Sequence, residues 1–150
     1  TIGKAKSIWF LIDIEKRRPM RIQEEQYNSY GVDGDLDCDI SMDKIEKCDE
    51  EENIKEFDIR YSDIDSNNHV NNVNYVEWAI EAVPPEVISN YVLTRIKVIF
   101  EKETTYGEKI SVSATVKEVE DETKLKTYHK IKNNEGSQLT LLEAEWERVK

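Results

Sequence analysis

Cysteine is scarce in this sequence, and long apolar runs are absent. Two cysteines in 150 residues, Cys38 and Cys48, are too few for a disulfide framework, and neither has a histidine at metal-ligand spacing. The longest apolar run, from Ile8 to Ile12, has the length of a strand and is far short of the roughly 18 residues of a membrane-spanning helix. Because the first residues also lack a signal-peptide pattern, we expect a cytoplasmic globular protein with no membrane partner.

Acidic residues also outnumber basic ones, and the imbalance is concentrated in one region. The chain has a net charge of −11, and residues 31–56 hold 11 acidic residues against three lysines. A protein that binds nucleic acid through a basic face has the opposite balance, so we expect no nucleic-acid partner. The acidic stretch has few large apolar residues, and we interpret residues 23–53 as an acidic linker with one short helix.

A single helix is predicted in the middle of the chain, after a polar loop of residues 62–72. Apolar residues recur there at i, i+3, i+7 and i+10, namely Val73, Val76, Ile80 and Val83. Asn71 or Asn72 is suited to cap the first turn, and Pro84 disfavours helical backbone at the residue before it.

The remaining segments have the alternation or continuity of strands. Residues 3–14 contain an apolar run typical of a strand buried on both faces, and Phe57 to Tyr61 alternates apolar and charged residues. Four more strands follow the helix, with a hairpin turn at Asn133 to Gly136 and a bulge expected at Leu141 and Leu142, where the apolar parity changes. Because only a sheet is available to cover the helix, we predict an α+β fold in which a mostly antiparallel sheet wraps around one long central helix.

The polar loop before the helix has the composition of a chemical site. A helix N-terminus presents unpaired N–H groups and a partial positive charge, which stabilise an anion or a developing oxyanion. His69 lies in the same loop and can exchange a proton near neutral pH. On these residues alone, three interpretations are open: a calcium loop, an Asx-rich helix cap and a catalytic loop.

The calcium interpretation fits the loop poorly. Asp63, Asp65 and Asn67 have the alternate spacing of an EF-hand, but Asn68 stands at the position that requires glycine, and Asn74 stands where the bidentate glutamate is required. We therefore expect no metal site. An Asx-rich turn that only caps the helix remains compatible with the composition.

The segment resembles the signature of the plant and bacterial acyl-acyl-carrier-protein thioesterases. The resemblance runs from Arg60 to Trp78 and is carried by these matching positions: Arg60, Ser62, Asp63, Asp65, Asn67, His69, Val70, Asn71, Asn72, Tyr75 and Trp78. It implies a hotdog fold and favours the catalytic interpretation. It also implies that residues 1–22 are the terminal strand of an incomplete first hotdog domain, that 23–53 is the linker, and that 54–150 is a second hotdog domain.

Catalytic roles are implied by the same resemblance. The alternating aspartate, asparagine and histidine of the family fall on Asp65, Asn67 and His69, and its later glutamate falls on Glu103. Plant members have a cysteine directly after this glutamate, whereas this chain has Thr104, which excludes a cysteine nucleophile at that position. We expect Asn67 and helix N–H groups near Asn71 and Asn72 to hold the thioester carbonyl, Glu103 or His69 to activate water, and Asp65 to orient His69.

The implied activity is hydrolysis of a fatty acyl-acyl-carrier protein to a free fatty acid, without a cofactor. Acyl carrier proteins are acidic, so docking requires a local basic patch; the best cluster is Lys4, Lys6, Lys16, Arg17, Arg18 and Arg21. A second hotdog domain that lacks most of its first domain is expected to form a homodimer or to pair with another hotdog domain. Two other functions stay open: a hotdog thioesterase for acyl-coenzyme A, and a non-catalytic hotdog module that only pairs with a partner.

Overall fold

The structure is a computed structural model that describes residues 3–13, 15–16, 18–29 and 40–149. The chain divides into two compact units, Thr1–Lys44 and Ile45–Lys150. No helix in the described ranges is long and apolar enough to cross a membrane.

In its described residues, the first unit contains two short strands and a short helix. Strand β1 (Leu11–Asp13) pairs antiparallel with β2 (Arg18–Met20), and helix α1 covers Glu24–Ser29. This helix lies inside the predicted linker, as expected. The buried strand predicted over residues 3–14 is wrong for most of its length, because residues 3–10 have no regular structure and Trp9 is 79% exposed. The described part of this unit has no buried residue and therefore no core that could cover the apolar run.

The second unit is built on a five-stranded sheet. Its strands are β3 (Lys55–Asp58), β4 (Tyr91–Phe100), β5 (Lys109–Glu118), β6 (Lys124–Asn133) and β7 (Gln138–Arg148). They lie in the order β3-β5-β6-β7-β4, and every neighbouring pair is antiparallel. The predicted turn between β6 and β7 is present, with the Gly136 N–H donating to the Asn133 carbonyl at 2.9 Å and Gly136 at a φ of +76°. The antiparallel sheet predicted from the alternation is confirmed.

Helix α2 (Asn72–Glu81) packs against one face of this sheet. Of the predicted apolar side, Val76 and Ile80 are half-buried against the core and Val83, just after the helix, is buried, whereas Val73 is 59% exposed. The helix also buries Tyr75, Trp78 and Ala79, and the two aromatic side chains bury more apolar surface than the valines do. The helix ends before Pro84, as predicted, and Pro84 precedes a further short helix, α3 (Pro85–Asn90), that we did not predict.

The sheet contributes the other half of the core. Buried residues from β5, β6 and β7 meet Tyr75, Trp78 and Ala79 of α2; the main ones are Ile110, Val112, Ala114, Ile131, Leu139 and Leu142. The bulge in β7 lies at Leu139, because Gln138 pairs with Lys132 and Thr140 pairs with the next residue, Ile131. The bulge predicted at Leu141 and Leu142 is thus misplaced: the extra residue that changes the parity comes earlier and turns Leu139 toward the core.

The opposite face of the sheet, called here the outer face, is crossed by residues 45–53, which we call the acidic strap. Near its start, the Glu46 N–H lies 3.3 Å from Glu143 Oε2 on β7, and Tyr128 Oη of β6 donates to Glu46 Oε2 at 2.7 Å. Near its end, the Ala114 N–H of β5 donates to the Glu52 carbonyl at 2.8 Å. The second compact unit begins at Ile45, inside the predicted linker, and the strap is hydrogen-bonded to the sheet.

Charge pairing explains why an acidic segment lies on this face. Outer-face lysines from three strands, β4, β5 and β6, form ion pairs with acidic residues: Lys130 and Lys132 with Glu51, Lys117 with Glu50, and Lys97 and Lys126 with Glu143. Burial alone would raise the pKa of Glu143, but the hydrogen bond from Lys97 and the other cationic neighbours outweigh it and hold this pKa below its usual value. Part of the acidic excess is thus neutralised within the fold.

Candidate active site

The loop between β3 and α2 is closed around Asp65. Its carboxylate Oδ1 accepts hydrogen bonds from the backbone N–H groups of Asn67 at 2.8 Å and His69 at 3.2 Å. The Asp65 N–H donates to the His69 carbonyl at 2.8 Å, and Asn68 has a left-handed φ of +62°, which asparagine tolerates better than most residues. These bonds hold the segment Asp65–His69 as a tight turn that presents the His69 side chain.

The start of α2 is fixed to the same loop. The side chain of Asn71 accepts from the Val73 N–H at 3.1 Å as the helix cap, which confirms one of the two predicted caps. The carbonyl of Asp63 accepts from the Asn71 N–H and from Asn74 Nδ2, both at 2.8 Å. Within the described part of the chain, Asn72 N–H is the first-turn amide that none of these bonds uses.

Asp63 anchors the beginning of the loop. It is buried, and its carboxylate accepts from the backbone N–H of Arg60 at 2.8 Å and from Arg60 Nη2 at 2.9 Å. Burial would raise the pKa of Asp63, but the hydrogen bonds from the Arg60 side chain and backbone together hold this pKa below its usual value. Asp63 therefore stays ionised and serves the loop backbone.

A second loop, residues 101–108 between β4 and β5, brings Glu103 to His69. Two hydrogen bonds join the loops: the Val70 N–H donates to the Thr104 carbonyl at 3.0 Å, and Thr105 Oγ1 donates to the Asn68 carbonyl at 3.0 Å. Glu103 Oε2 then lies 3.3 Å from His69 Nε2. The convergence of these two side chains, expected from the sequence, is confirmed, although Glu103 lies in the loop after β4 and not on a strand.

Aromatic side chains lie beneath the contact between His69 and Glu103. Tyr75 of α2 is buried, and its ring meets Trp78 and Phe100 edge-on at centroid distances of 5.6 and 5.9 Å. Burial raises the pKa of the Tyr75 hydroxyl to about 12, with the Thr104 backbone N–H acting in the opposite direction. Tyr75 is therefore neutral at physiological pH and forms an apolar support below the two loops.

The predicted catalytic residues come from two loops. Asp65, Asn67 and His69 share one turn, and Glu103 meets His69 from the other loop. Asn67 is exposed, and its side chain has no hydrogen-bond partner among the described residues. Asp65, predicted to orient His69, binds the backbone N–H groups of Asn67 and His69 with its carboxylate and so positions the backbone of His69.

The predicted substrate-binding residues are spread over both units. Asn71 caps the helix and its N–H is already bonded to Asp63, while Asn72 is exposed at the first position of α2. Arg18 lies on β2 in the first unit and is exposed, and Arg17 lies outside the described residues. No group of three or more metal-ligating side chains occurs in the ranges that the structure describes.

Sequence reasoning missed the residues that join the two loops. Thr104 was noted only as the residue in place of a cysteine, and Thr105 and Glu108 were not singled out. Thr104 is 4% exposed and donates from Oγ1 to Glu108 Oε2 at 2.7 Å. A threonine in a polar loop, between Glu103 and Thr105, carries no signal of burial in the sequence.

Comparison with known proteins agrees with this architecture. Residues 46–148 match the family described as "Acyl-ACP thioesterase C-terminal domain". The chain is 31% identical over 108 residues to the chloroplastic palmitoyl-acyl carrier protein thioesterase of Cuphea hookeriana, covering 68% of this chain and 26% of that protein. It is 27% identical over 132 residues to the chloroplastic oleoyl-acyl carrier protein thioesterase of Coriandrum sativum, covering 81% of this chain and 36% of that protein. The chain thus spans about a quarter to a third of the length of these two curated relatives.

Solved structures show the same fold. The 12:0-ACP thioesterase from Umbellularia californica aligns with a TM-score of 0.78 at 24% identity, over 92% of this chain and 52% of that chain. A Thermus thermophilus thioesterase in complex with coenzyme A and Zn aligns with a TM-score of 0.59 at 17% identity, over 65% of this chain and 78% of that chain. The fold is a hotdog, and with more than half of its residues matching the family, this chain belongs to the acyl-acyl-carrier-protein thioesterases as their C-terminal domain.

Proposed function

We propose that the protein carrying this chain hydrolyses the thioester of a fatty acyl-acyl-carrier protein and releases a free fatty acid, and that His69 and Glu103 form its reactive pair. The observation that carries the proposal is the 3.3 Å contact of His69 Nε2 with Glu103 Oε2, beside the N-terminus of α2. Family membership gives the class of reaction, since the relatives named above are acyl-carrier-protein thioesterases.

The chemistry uses only groups that this chain supplies. A water molecule attacks the thioester carbonyl carbon, and the His69–Glu103 pair takes its proton as a general base. The negative charge that develops on the carbonyl oxygen is held by the Asn67 amide and the Asn72 N–H, donors of the kind that contribute roughly 3–4 kcal/mol each to transition-state stabilisation. The carbon–sulfur bond then breaks, and the pair returns the proton to the leaving thiolate.

The exposure of the two side chains suits this chemistry. His69 is 41% and Glu103 62% exposed, so water and a thioester both have access to them. A contact between side chains this exposed adds little to folding stability, so the pair is not needed to hold the fold. The loop-to-loop hydrogen bonds beneath them keep the pair together without depending on their mutual attraction.

Hydrolysis of acyl-acyl-carrier protein by three single variants of the full-length protein tests the proposal. Glu103→Gln and His69→Ala are each expected to lower kcat by about 10²–10⁴-fold, the contribution of a positioned general base. Glu101→Gln is the matched control, because it removes a carboxylate from the same loop at an exposed position where its partner is Gln138. Normal rates in both Glu103→Gln and His69→Ala would contradict the assignment of the pair.

Acyl-coenzyme A is the competing substrate class, because a thioesterase complexed with coenzyme A shares the fold. Matched carrier-protein and coenzyme A thioesters of one chain length separate the two. A kcat/KM that is higher for the carrier-bound acyl group supports the proposal, and a preference for coenzyme A overturns its substrate class. Failure to hydrolyse either thioester favours a non-catalytic pairing module.

Pairing with a second hotdog domain, in a homodimer or with another domain, is also part of the proposal. Strand β4 is an edge of the sheet, and it exposes Val92, Leu93, Ile99 and Phe100. An apolar strand edge of this kind is a template for further strand pairing. Light scattering on the purified protein tests it, and a monomer with a single hotdog domain would contradict it.

The cytoplasmic location is likewise a proposal; the curated relatives named above are chloroplastic, and imaging of a tagged protein distinguishes the compartments.

A further inference from the structure

We propose that Thr104 is a positioning residue for the reaction, and that its hydrogen bond to Glu108 sets the distance between Glu103 and His69. The inference rests on the proposed function and adds a residue to it. Thr104 is adjacent in sequence to Glu103, and Val70 is adjacent to His69; the Val70 N–H to Thr104 carbonyl bond of 3.0 Å joins these neighbours directly.

The contact between His69 and Glu103 needs support from below. Both side chains are partly exposed, and a solvent-exposed contact of this kind does not hold loops in place by itself. Thr104, in contrast, is 4% exposed, so its bonds are shielded from water and stronger. The position of the Glu103 carboxylate therefore follows from how the backbone at Thr104 is held.

Glu108 holds the backbone at Thr104 and links it to the sheet. Thr104 Oγ1 donates to Glu108 Oε2 at 2.7 Å, a short hydrogen bond to a carboxylate. The Glu108 carbonyl accepts from the Ile59 N–H at 3.0 Å, next to the end of β3. The chain from Ile59 through Glu108 to Thr104 thus connects the sheet to the loop that carries Glu103.

The hydrogen bond to Glu108 gives the Thr104 hydroxyl a structural role and not the role of a nucleophile. Its proton is directed to Glu108 and its residue is buried, so Thr104 acts through Glu103 and does not contact substrate. Thr105 adds a second tie, from its Oγ1 to the Asn68 carbonyl at 3.0 Å, but it is exposed and water can replace that bond.

The test compares Thr104→Val, which keeps the shape and loses the hydroxyl, with Thr104→Ser, which keeps the hydroxyl. In the full-length protein with acyl-acyl-carrier protein as substrate, Thr104→Val is expected to lower kcat by about 10- to 100-fold, the loss that a small misplacement of a catalytic group produces, while KM stays within about twofold. Thr104→Ser is expected to retain kcat within about threefold of the wild type, because the bond to Glu108 is rebuilt.

A double variant separates positioning from a loss of structure. In a His69→Ala background, Thr104→Val is expected to lower kcat no further, because residues that act as one unit are not additive. An equal fractional loss in both backgrounds, or a Thr104→Val protein with wild-type kcat, would overturn the inference. If His69→Ala and Glu103→Gln are themselves fully active, the proposed function fails; if they are inactive and Thr104→Val is active, only the role of Thr104 fails.

Discussion

Among single residues, His129 is the one whose burial has a measurable consequence for stability. It is 1% exposed and pairs with Ala114 and Leu142 on the face of the sheet that α2 covers. Burial lowers the pKa of its imidazole to about 4, so the folded protein keeps it neutral, with Nε2 2.8 Å from Thr127 Oγ1.

Stability is therefore expected to fall on mild acidification. The unfolded chain binds a proton at His129 near pH 6.5 and the folded chain only near pH 4, so unfolding takes up a proton in this window and becomes easier as the pH falls. Between pH 6.5 and 5.5, where carboxylates stay charged, the expected loss of unfolding free energy from this residue is about 1 kcal/mol. Urea denaturation at both pH values measures it. His129→Leu should lack this component; an unchanged pH dependence in that variant would show that another group is responsible.

Residue identities in the first loop could be predicted, but the contacts between the two loops could not. The alternating Asp65, Asn67 and His69 identified this loop from the sequence alone. That the Asp65 carboxylate meets the backbone N–H groups two and four residues later, and not a side chain, could not be read from the sequence. Thr104 was passed over because its burial arises only when loop 101–108 folds under Glu103.

The acidic strap is the element that differs most from its prediction, because residues predicted as a linker are held on the sheet. Glu143 is 1% exposed on the outer face, and Lys97 Nζ, Lys126 Nζ and the Glu46 N–H surround its carboxylate at 3.1 to 3.5 Å. Removing this side chain leaves the start of the strap without its anchor on β7. Glu143→Ala is therefore expected to raise trypsin cleavage at Lys47 by about tenfold, the effect of losing hydrogen bonds to a buried charge.

Limited proteolysis with mass spectrometric assignment of the cut sites measures that change. Glu147→Ala is the matched control on the same strand, because Glu147 is exposed and pairs only with Lys124 at 3.5 Å in the described part of the chain. Equal cleavage at Lys47 in the wild type and Glu143→Ala would show that the strap is held without this carboxylate.

Elements were predictable where their signal is local. The antiparallel strands and the capped start of α2 follow from alternation and from Asn71, both readable within a few residues. The strap, by contrast, depends on Lys117 of β5 and on Lys130 and Lys132 of β6. Partners so distant in sequence leave no periodic pattern, and the same applies to the bulge at Leu139.

For the whole molecule, the distribution of charge decides how an acidic carrier protein can dock. The net charge is −11, which repels such a partner at long range, and the outer-face lysines are paired with acidic residues of the strap or sheet. The basic cluster of the first unit, with Arg17 and Arg18, remains the proposed docking patch. Arg18 is exposed, as docking requires.

Charge reversal tests this patch. Arg17→Glu with Arg18→Glu is expected to raise KM for the carrier-bound acyl group by about tenfold at low salt and to leave KM for the coenzyme A thioester unchanged, because complementary charge chiefly governs encounter with the charged partner. The control is Lys44→Glu with Lys47→Glu, two exposed lysines whose reversal changes the net charge equally. The same rise in both double variants would indicate a general effect of charge and would remove the patch from the account.

The most direct measurement of the central claim is a double-mutant cycle between His69 and Glu103, with hydrolysis of acyl-acyl-carrier protein by the full-length protein as the readout. If the two side chains act as one general base, the double variant His69→Ala with Glu103→Gln should be no slower than the slower single variant. Losses that multiply, so that the double variant is slower by the product of the two single effects, would contradict a shared role.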